Sequence, residues 1–232
     1  MPDESRLQTV LLNTAQVATQ AMAPKIALKR LGLTEYEEAL SYQRSIHSEI
    51  SEGQRPNTLI LLEHPPIFTA GRRTLPHELP TDGSKVIDVD RGGKITFHGP
   101  GQLVGYPIVR LKNGNDVVGF VREIETALIR VCEYFEIKAE RYCERSGVWI
   151  RDDKGDRKIA AIGIRVARGV TMHGFALNVD PDLRYFDRIV PCGIADASVT
   201  SLRQELGREI SISEVSPIVE REIYEALSRV SA

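Results

Sequence analysis

The stretch GVWIRDDKGDRKIAAIGIRVARGVTMHGFALNV, residues 147–179, decides the fold. It contains three runs typical of strands, GVWI, KIAAIGIRV and VTMHGFALNV, in which β-branched and other apolar residues dominate. The joints between these runs, RDDKGDR and ARG, are short enough for hairpins. The stretch therefore predicts a meander of three antiparallel strands, whose second hairpin turns near Arg168.

The segments outside this meander predict helices and short strands. Residues 34–53 carry an apolar stripe, with Thr34 and Glu37 at the spacing of a capping box, so they predict a helix. A second helix is predicted to begin at Asp116, and a third lies near the C-terminus. Four β-rich runs separate the first two helices: NTLILLEH, KVIDVD, KITF and QLVGYPIVRL.

The order of these elements predicts the fold class. Helices and strands do not alternate as they do in a parallel α/β protein. We therefore expect an α+β fold, with helices packed on a mostly antiparallel sheet. We expect residues 1–30 to be an N-terminal extension and residues 31–232 to form a single domain.

Composition excludes several classes of function. The 232 residues carry a formal net charge of −2, so no overall basic field favours nucleic acid or an anionic membrane. No apolar run approaches the ~18 residues of a membrane span, and the N-terminus lacks the pattern of a secretory signal. The three cysteines have no framework spacing and the five histidines no ligand spacing, which argues against disulfides and metal. We expect a cytoplasmic monomer.

Cys192 is a candidate nucleophile because Pro191 and Gly193 in RIVPCGI shape a loop rather than a core. The alternative is a structural loop thiol. A thiolate needs a nearby cation, and folding back the second hairpin brings Lys158 opposite Asn178 and Val179, beside the chain that leads to Cys192. The alternative for Lys158 is a solvated lysine at a strand edge.

A second cluster, DRGGKITFHGPGQ at residues 90–102, concentrates glycine around a histidine. It predicts either the wall of a binding cleft or a hairpin whose turns need glycine. The small residues of AAIG at 160–163 and the residues of HGF at 173–175 predict either a slot for an apolar chain or ordinary core. Neither a P-loop nor a dinucleotide-binding glycine pattern is present.

DRGGKITFHGPGQLVGYPI, KIAAIGIRV, TMHGFALNV and IVPCGI together resemble, in order and spacing, the lipoyl(octanoyl) transferases. The resemblance runs from about Leu31 to Leu206. It implies the catalytic-domain fold of biotin and lipoate protein ligases. It also implies transfer of an octanoyl group from octanoyl-acyl carrier protein to a lysine of lipoyl-domain proteins, the first step of endogenous lipoate cofactor biosynthesis.

The resemblance further implies partners and site residues. The acceptors would be the glycine cleavage H protein and the E2 subunits of 2-oxoacid dehydrogenases, and neither ATP, metal nor another cofactor would take part. The acyl-thioester nucleophile falls on Cys192, and its partner, which supports the thiolate and moves protons, falls on Lys158. The substrate contacts fall on Arg91, Gly92, Gly93, Lys94, Ile95, Thr96, Phe97, His98, Ala161, Ile162, Gly163, Gly174, Phe175 and Ala176.

Two other functions remain open from the sequence. An ATP-dependent lipoate or biotin protein ligase would share the fold but would need a nucleotide loop and no nucleophilic cysteine. A non-catalytic module that docks carrier proteins would use a basic patch for an acidic partner. The arginines that would form such a patch are Arg72, Arg73, Arg91, Arg165 and Arg168.

Overall fold

The structure, a computed structural model, describes residues 26–114, 116–142, 145–189 and 197–232 of the chain. Within these ranges, eleven strands form two sheets that pack with four helices. The strands are β1 (Ile26–Leu33), β2 (Asn57–Glu63), β3 (Ile67–Ala70), β4 (Val86–Asp88), β5 (Thr96–His98), β6 (Gln102–Ile108), β7 (Glu140–Tyr142), β8 (Arg145–Asp152), β9 (Gly155–Ala167), β10 (Val170–Asn178) and β11 (Ser198–Val199). The helices are α1 (Tyr36–Ser51), α2 (Val117–Tyr134), α3 (Leu202–Leu206) and α4 (Ile212–Val230), and the 3-10 turns are Pro76–Glu78 and Leu183–Arg188.

The larger sheet has the order β1-β2-β6-β10-β9-β8-β7, and β11 pairs with β9 outside this path. The β1–β2 and β9–β11 pairs are parallel, and the other pairs of this sheet are antiparallel. The smaller sheet has the order β4-β3-β5. The predicted α+β class with a mostly antiparallel sheet is therefore confirmed.

The meander of β8, β9 and β10 has tighter turns than its sequence suggested. Asp152 pairs directly with Gly155, so the first turn has two residues, and most of RDDKGDR belongs to the strands. The second turn is Arg168–Gly169, where φ values of 52° and 73° suit a type I′ hairpin.

The helices follow the predicted apolar stripes, although one predicted cap is wrong. Tyr36 and Ile50 of α1 are buried, as the periodicity predicted. The residue that caps α1 is Glu35, without a side-chain hydrogen bond, while the Thr34 hydroxyl donates to the Leu31 carbonyl at 3.1 Å. Asp116 does cap α2, as predicted, by accepting from the Gly119 amide at 2.8 Å.

Both faces of the larger sheet are buried, which explains the unbroken apolar run in β2. Leu59 and Leu61 pack into the main core with α2 and α4, whereas Ile60 and Leu62 pack against α1 on the other face. The side chains alternate because successive residues of a strand point to opposite faces. Among the described residues, no helix is long and apolar enough to cross a membrane.

The sheet begins ahead of the domain boundary that we expected at residue 31. Ile26 pairs with Asn57, is 3% exposed and belongs to the main core. Residues 26–30 are therefore part of the edge strand β1. This strand has a weak sequence signal because five of its eight residues are exposed: Leu28, Lys29, Arg30, Gly32 and Leu33.

Candidate active site

A cavity of about 220 Å³ lies where the loop after β4 meets β5, β6, β9 and β10. Most of the substrate contacts implied by the resemblance line it, together with Lys158. The contacts that do so are Arg91, Gly93, Lys94, Thr96, His98, Ala161, Ile162, Gly163, Gly174, Phe175 and Ala176. Three segments of the chain, residues 91–98, 158–163 and 174–176, thus converge on one space.

Three of the expected contacts do not line this cavity. Ile95 and Phe97 are fully buried in a separate apolar cluster with Phe68. They alternate with Thr96 and His98, which do face the cavity, because neighbouring residues along this extended segment point to opposite sides. Gly92 is also absent from the lining, and its amide donates to the Ile164 carbonyl at 3.0 Å.

Lys158 is buried at the point where two cavities adjoin. Its side chain is part of the lining of the main cavity and of a second, small cavity of about 20 Å³. Its residue exposure is 7%, and its Nζ lies 4.5 Å from the centre of the Trp149 ring. Lys158 is therefore not a solvated edge lysine, since β9 is an inner strand with neighbours on both sides.

Cys192 lies outside the described residues, as do Pro191 and Gly193. The chain on either side of residues 190–196 is described. Phe186 on one side and Ala197 on the other both line the small cavity that contains Lys158. The Thr200 amide also donates to the Lys158 carbonyl at 3.0 Å, so the chain that follows Cys192 is anchored on this lysine.

Arg91 clamps the loop after β4 into a wall of the cavity. Its guanidinium donates to the carbonyls of Gly92 (3.1 Å), Lys94 (2.8 Å) and Thr69 (2.8 Å). Arg91 is 8% exposed, and its Cδ lies 2.8 Å from where a side chain on Gly163 would begin. This arginine therefore shapes the wall from within rather than adding to a basic surface patch.

A chain of hydrogen bonds fixes the orientation of His98. Gln102 Nε2 donates to the Phe97 carbonyl (3.2 Å) and to Asn178 Oδ1 (2.8 Å), so Gln102 Oε1 accepts from His98 Nδ1 at 2.7 Å. Asn178 in turn donates to the Thr200 carbonyl at 2.9 Å. Burial lowers the pKa of His98 to about 3, so its imidazole is neutral and presents Nε2 as an acceptor.

Two more rings contact His98, and a third, that of Tyr106, contacts one of these two. Tyr36 stacks on it with 6.0 Å between ring centres, and His64 lies 5.7 Å away. His64 Nδ1 bonds the Thr34 carbonyl and its Nε2 bonds the Tyr106 hydroxyl, both at 2.7 Å. Burial lowers the pKa of His64 to about 4, and it raises the pKa of Tyr36 to about 12. The rings of Tyr36, His64 and His98 are thus polar but uncharged at neutral pH.

His173 connects the wall to β10. Its Nε2 donates to Asp90 at 2.7 Å, and Asp90 also pairs with Arg165 at 2.6 Å. Partial burial disfavours the charged form of Asp90 and so raises its pKa. The hydrogen bond from His173 and the charge of Arg165 outweigh this effect and hold the pKa of Asp90 below its usual value. His173 has φ +60°, a conformation uncommon outside glycine and often found at functional sites.

Sequence reasoning missed several residues of the lining, which come mostly from other elements: Tyr36, Arg73, Tyr106, Arg145, Ser146 and His173. Only the HGF motif and the basic patch hypothesis had drawn attention to two of them, His173 and Arg73. The predicted patch does not form as one surface, because Arg91 is buried and Arg165 pairs with Asp90. Arg72 and Arg73 are exposed, and Arg73 lines the cavity.

Comparisons with known proteins agree with this fold. Residues 35–224 match the family model of the lipoyl protein ligase A/B catalytic domain. The octanoyltransferase of Salinispora tropica is 57% identical over 202 residues, which cover 86% of this chain and 95% of that protein. The octanoyltransferase of Acidothermus cellulolyticus is 56% identical over 203 residues, which cover 87% of this chain and 92% of that protein.

Two solved structures show the same fold at low identity. The bipartite lipoate protein ligase of Thermoplasma acidophilum has a TM-score of 0.70 and 19% identity, and the match covers 87% of this chain and 83% of that chain. The biotin protein ligase of Aquifex aeolicus has a TM-score of 0.50 and 16% identity, and the match covers 88% of this chain and 69% of that chain. The expected ligase-like fold is therefore confirmed.

Proposed function

Because the chain belongs to the octanoyltransferases of the lipoyl protein ligase A/B catalytic-domain family, we propose that it uses Cys192 and Lys158 to move an octanoyl group from octanoyl-acyl carrier protein to a lipoyl-domain lysine. As an octanoyltransferase it is an enzyme of lipoate biosynthesis and protein lipoylation. One observation carries the assignment of the two residues. Lys158 is buried at the cavity, and the chain on both sides of residues 190–196 lines the same small space.

In the first step, the Cys192 thiolate attacks the carbonyl carbon of the carrier thioester. Lys158 stabilises this thiolate as an ammonium. The new bond joins Cys192 sulfur to the acyl carbon, and the bond from that carbon to the carrier sulfur breaks. The departing carrier thiolate takes a proton from Lys158, which leaves an acyl-enzyme and a neutral lysine.

In the second step, the amine of the target lysine attacks the acyl-enzyme. A carbon–nitrogen bond forms, and the bond from the acyl carbon to Cys192 sulfur breaks. Lys158, neutral after the first step, takes the proton that the attacking amine loses. The enzyme returns to its thiolate–ammonium state, so the two substrates react in turn and the kinetics are ping-pong.

The cavity suits an apolar acyl chain. The part of the lining on β9 and β10 includes residues with small or no side chains, Ala161, Gly163, Gly174 and Ala176, and the aromatic Phe175. Burying about six methylenes of an octanoyl chain at ~0.8 kcal/mol each contributes roughly 5 kcal/mol before the costs of binding. The pocket therefore favours a medium chain over a very short one.

An ATP-dependent ligase on the same fold is less well supported. The ligase structures are 19% identical or less, whereas the octanoyltransferase relatives exceed 50%. The substrate proposed here is a thioester, which is already activated and needs no nucleotide. A docking module without chemistry is also less well supported, because Lys158 is buried at the cavity, whereas a basic patch for an acidic partner consists of exposed cations.

We further propose that the acceptors are the glycine cleavage H protein and the E2 subunits of 2-oxoacid dehydrogenases. The support is the family membership, since a lipoyl domain is the acceptor that the resemblance implies. The odd number of cysteines without framework spacing supports work in the cytoplasm, and a single ping-pong site needs only a monomer.

The test is the intact mass of the protein after mixing with octanoyl-carrier thioester in the absence of ATP. We expect one added octanoyl group on the wild type, removable by hydroxylamine, and none on Cys192→Ser. Lys158→Met should slow its formation by at least a hundredfold, within the range by which proton-transferring side chains accelerate reactions, ~10²–10⁴.

Cys132→Ala is the matched control, because Cys132 is a fully buried thiol of α2 and does not line either cavity. It should acquire the adduct at the wild-type rate. A wild type that acquires no adduct from a competent donor, or a Cys192→Ser variant that still does, would overturn the proposed mechanism.

A further inference from the structure

Trp149, the one tryptophan of the chain, lies against the Lys158 side chain. Lys158 Nζ is 4.5 Å from the centre of the indole, within the range of a cation–π contact. The ring is 1% exposed, and its Nε1 donates to the Arg145 carbonyl at 3.2 Å. The ring is therefore held in place independently of the lysine.

A β-bulge creates this pairing. Val148 pairs with Ala160, but the register then shifts, and Trp149 pairs with Lys158. Had the register continued, Trp149 would stand opposite Ile159, and the Lys158 side chain would point to the other face of the sheet. The bulge thus places the ring and the ammonium on one face of the sheet. Bulges near active sites commonly redirect a side chain in this way.

Gly147 and Glu125 support the bulge. Gly147 has φ +116°, and a Cβ there would lie 2.5 Å from the Ala160 carbonyl oxygen. Its amide donates to Glu125 Oε1 at 3.0 Å, and the fully buried Glu125 carboxylate also pairs with Arg122 at 2.7 Å. A buried carboxylate and a glycine in a conformation that few residues adopt therefore fix the start of β8 beside Lys158.

We propose that Trp149 is a positioning residue, which holds the Lys158 ammonium where the two cavities adjoin. This inference rests on the proposed role of Lys158. An aromatic face suits that role because it attracts the cation but accepts no proton. A carboxylate in the same place would compete with the Cys192 thiolate for the ammonium and would retain it as an ion pair.

The first test compares Trp149→Phe with Trp149→Leu in single-turnover acylation by octanoyl-carrier thioester. Both substitutions shrink the side chain, but only phenylalanine keeps an aromatic face toward Lys158. We expect the leucine variant to acylate about tenfold more slowly than the phenylalanine variant, within the range of a desolvated cation–π contact. Equal rates in two folded variants would overturn the proposal.

A matched control separates positioning from packing. Phe120 is 1% exposed in the main core and contacts neither cavity. Phe120→Leu should lower the melting temperature as a ring-to-aliphatic change in the core does, yet acylate at the wild-type rate. If Phe120→Leu slows acylation as much as Trp149→Leu, general loss of packing explains both and the proposal fails.

Fluorescence gives a second readout that needs no activity and no Trp149 variant. Because the chain has one tryptophan, its emission reports the surroundings of the Trp149 ring, which include the Lys158 side chain. Lys158→Met should shift the emission relative to the wild type, and Lys158→Arg should shift it less, since arginine keeps a cation. Identical spectra for all three proteins would overturn the contact. If the two variants show these shifts but the wild type forms no adduct, the proposed function is contradicted and the contact between Trp149 and Lys158 stands.

Discussion

At the scale of single residues, the cavity depends on imidazoles that stay neutral. His98 and His64 are buried in hydrogen-bonded positions, and their pKa values fall to about 3 and about 4. Desolvation is the main cause in both cases, because a charged imidazole loses its hydration when it is buried. A neutral His98 keeps Nε2 as an acceptor, and the buried hydroxyl of Thr69 lies 3.5 Å from it.

These depressed pKa values predict a loss of stability in mild acid. As the pH falls below about 6.5, His98 becomes protonated in the unfolded chain but not in the folded one. Proton binding therefore stabilises the unfolded state relative to the folded state. The free energy of unfolding should then fall by up to about 1.4 kcal/mol per pH unit for each such histidine, until the pH reaches its folded pKa. Urea unfolding of the wild type and of His98→Gln between pH 7 and pH 4 should give a shallower slope for the variant.

His77 offers the control for that slope, since it is exposed in the 3-10 turn Pro76–Glu78. His77→Gln should leave the pH dependence of unfolding as it is in the wild type. A His98→Gln variant with the wild-type slope would mean that His98 titrates in the folded protein as it does in the unfolded chain.

At the scale of elements, the paired strands β6 and β10 pack closely where each carries a glycine. A Cβ on Gly174 would lie 1.9 Å from the Gly105 carbonyl oxygen, and one on Gly105 would lie 2.1 Å from the Phe175 ring. Neither glycine is needed for a positive φ, so the constraint is space alone.

Gly174→Ala should therefore destabilise the protein, whereas an alanine in open space should not. We expect a loss of about 1–3 kcal/mol in the free energy of unfolding, as overpacking in a core costs, together with slower acylation. Gly114→Ala is the matched control, because a Cβ at Gly114 meets nothing within 4 Å. Equal melting temperatures for Gly174→Ala and the wild type would show that the two strands separate without cost.

The sequence predicted those elements whose signals are local. The meander followed from short turns, and the position of Lys158 near Val179 followed from counting back from Arg168, which the register of β9 and β10 supports. The alternation of faces along residues 95–98 is not visible in the sequence, and the structure places Ile95 in an apolar cluster rather than at the cavity. Which face a three-residue strand presents depends on what packs against it, and one sequence does not reveal this.

The bulge at Trp149 and the clamp of Arg91 are also non-local. The bulge depends on a carboxylate from α2, Glu125, that reaches the amide of Gly147 across the core. The clamp depends on the carbonyl of Thr69 in β3. The bulge and the clamp both depend on tertiary contacts between segments distant in sequence. A sequence motif shows which residues are present but not which of these contacts they make.

At the scale of the whole molecule, two exposed arginines lie beside the cavity. Arg72 and Arg73 follow β3, and their amides donate to the carbonyls of Arg91 (3.1 Å) and Gly93 (3.0 Å). The backbone of the rim is thus tied to the wall, while both arginine side chains are exposed. Two adjacent cations beside the entrance favour approach of an acidic carrier, because complementary charge accelerates encounter.

Charge reversal of both arginines should weaken binding of the carrier protein and leave the reaction with a small thioester unchanged. We expect the KM for octanoyl-carrier protein to rise about tenfold in the Arg72→Glu, Arg73→Glu variant at low salt, and the difference to shrink as salt screens the charges. Octanoyl-pantetheine should acylate the variant at the wild-type rate, because it lacks the acidic surface of the carrier protein. Lys138→Glu, a reversal at an exposed lysine that does not line the cavity, should leave both donors unaffected. An equal loss with both donors would mean that Arg73 shapes the cavity instead of receiving the carrier, and an unchanged KM at low salt would remove the rim from the docking surface altogether.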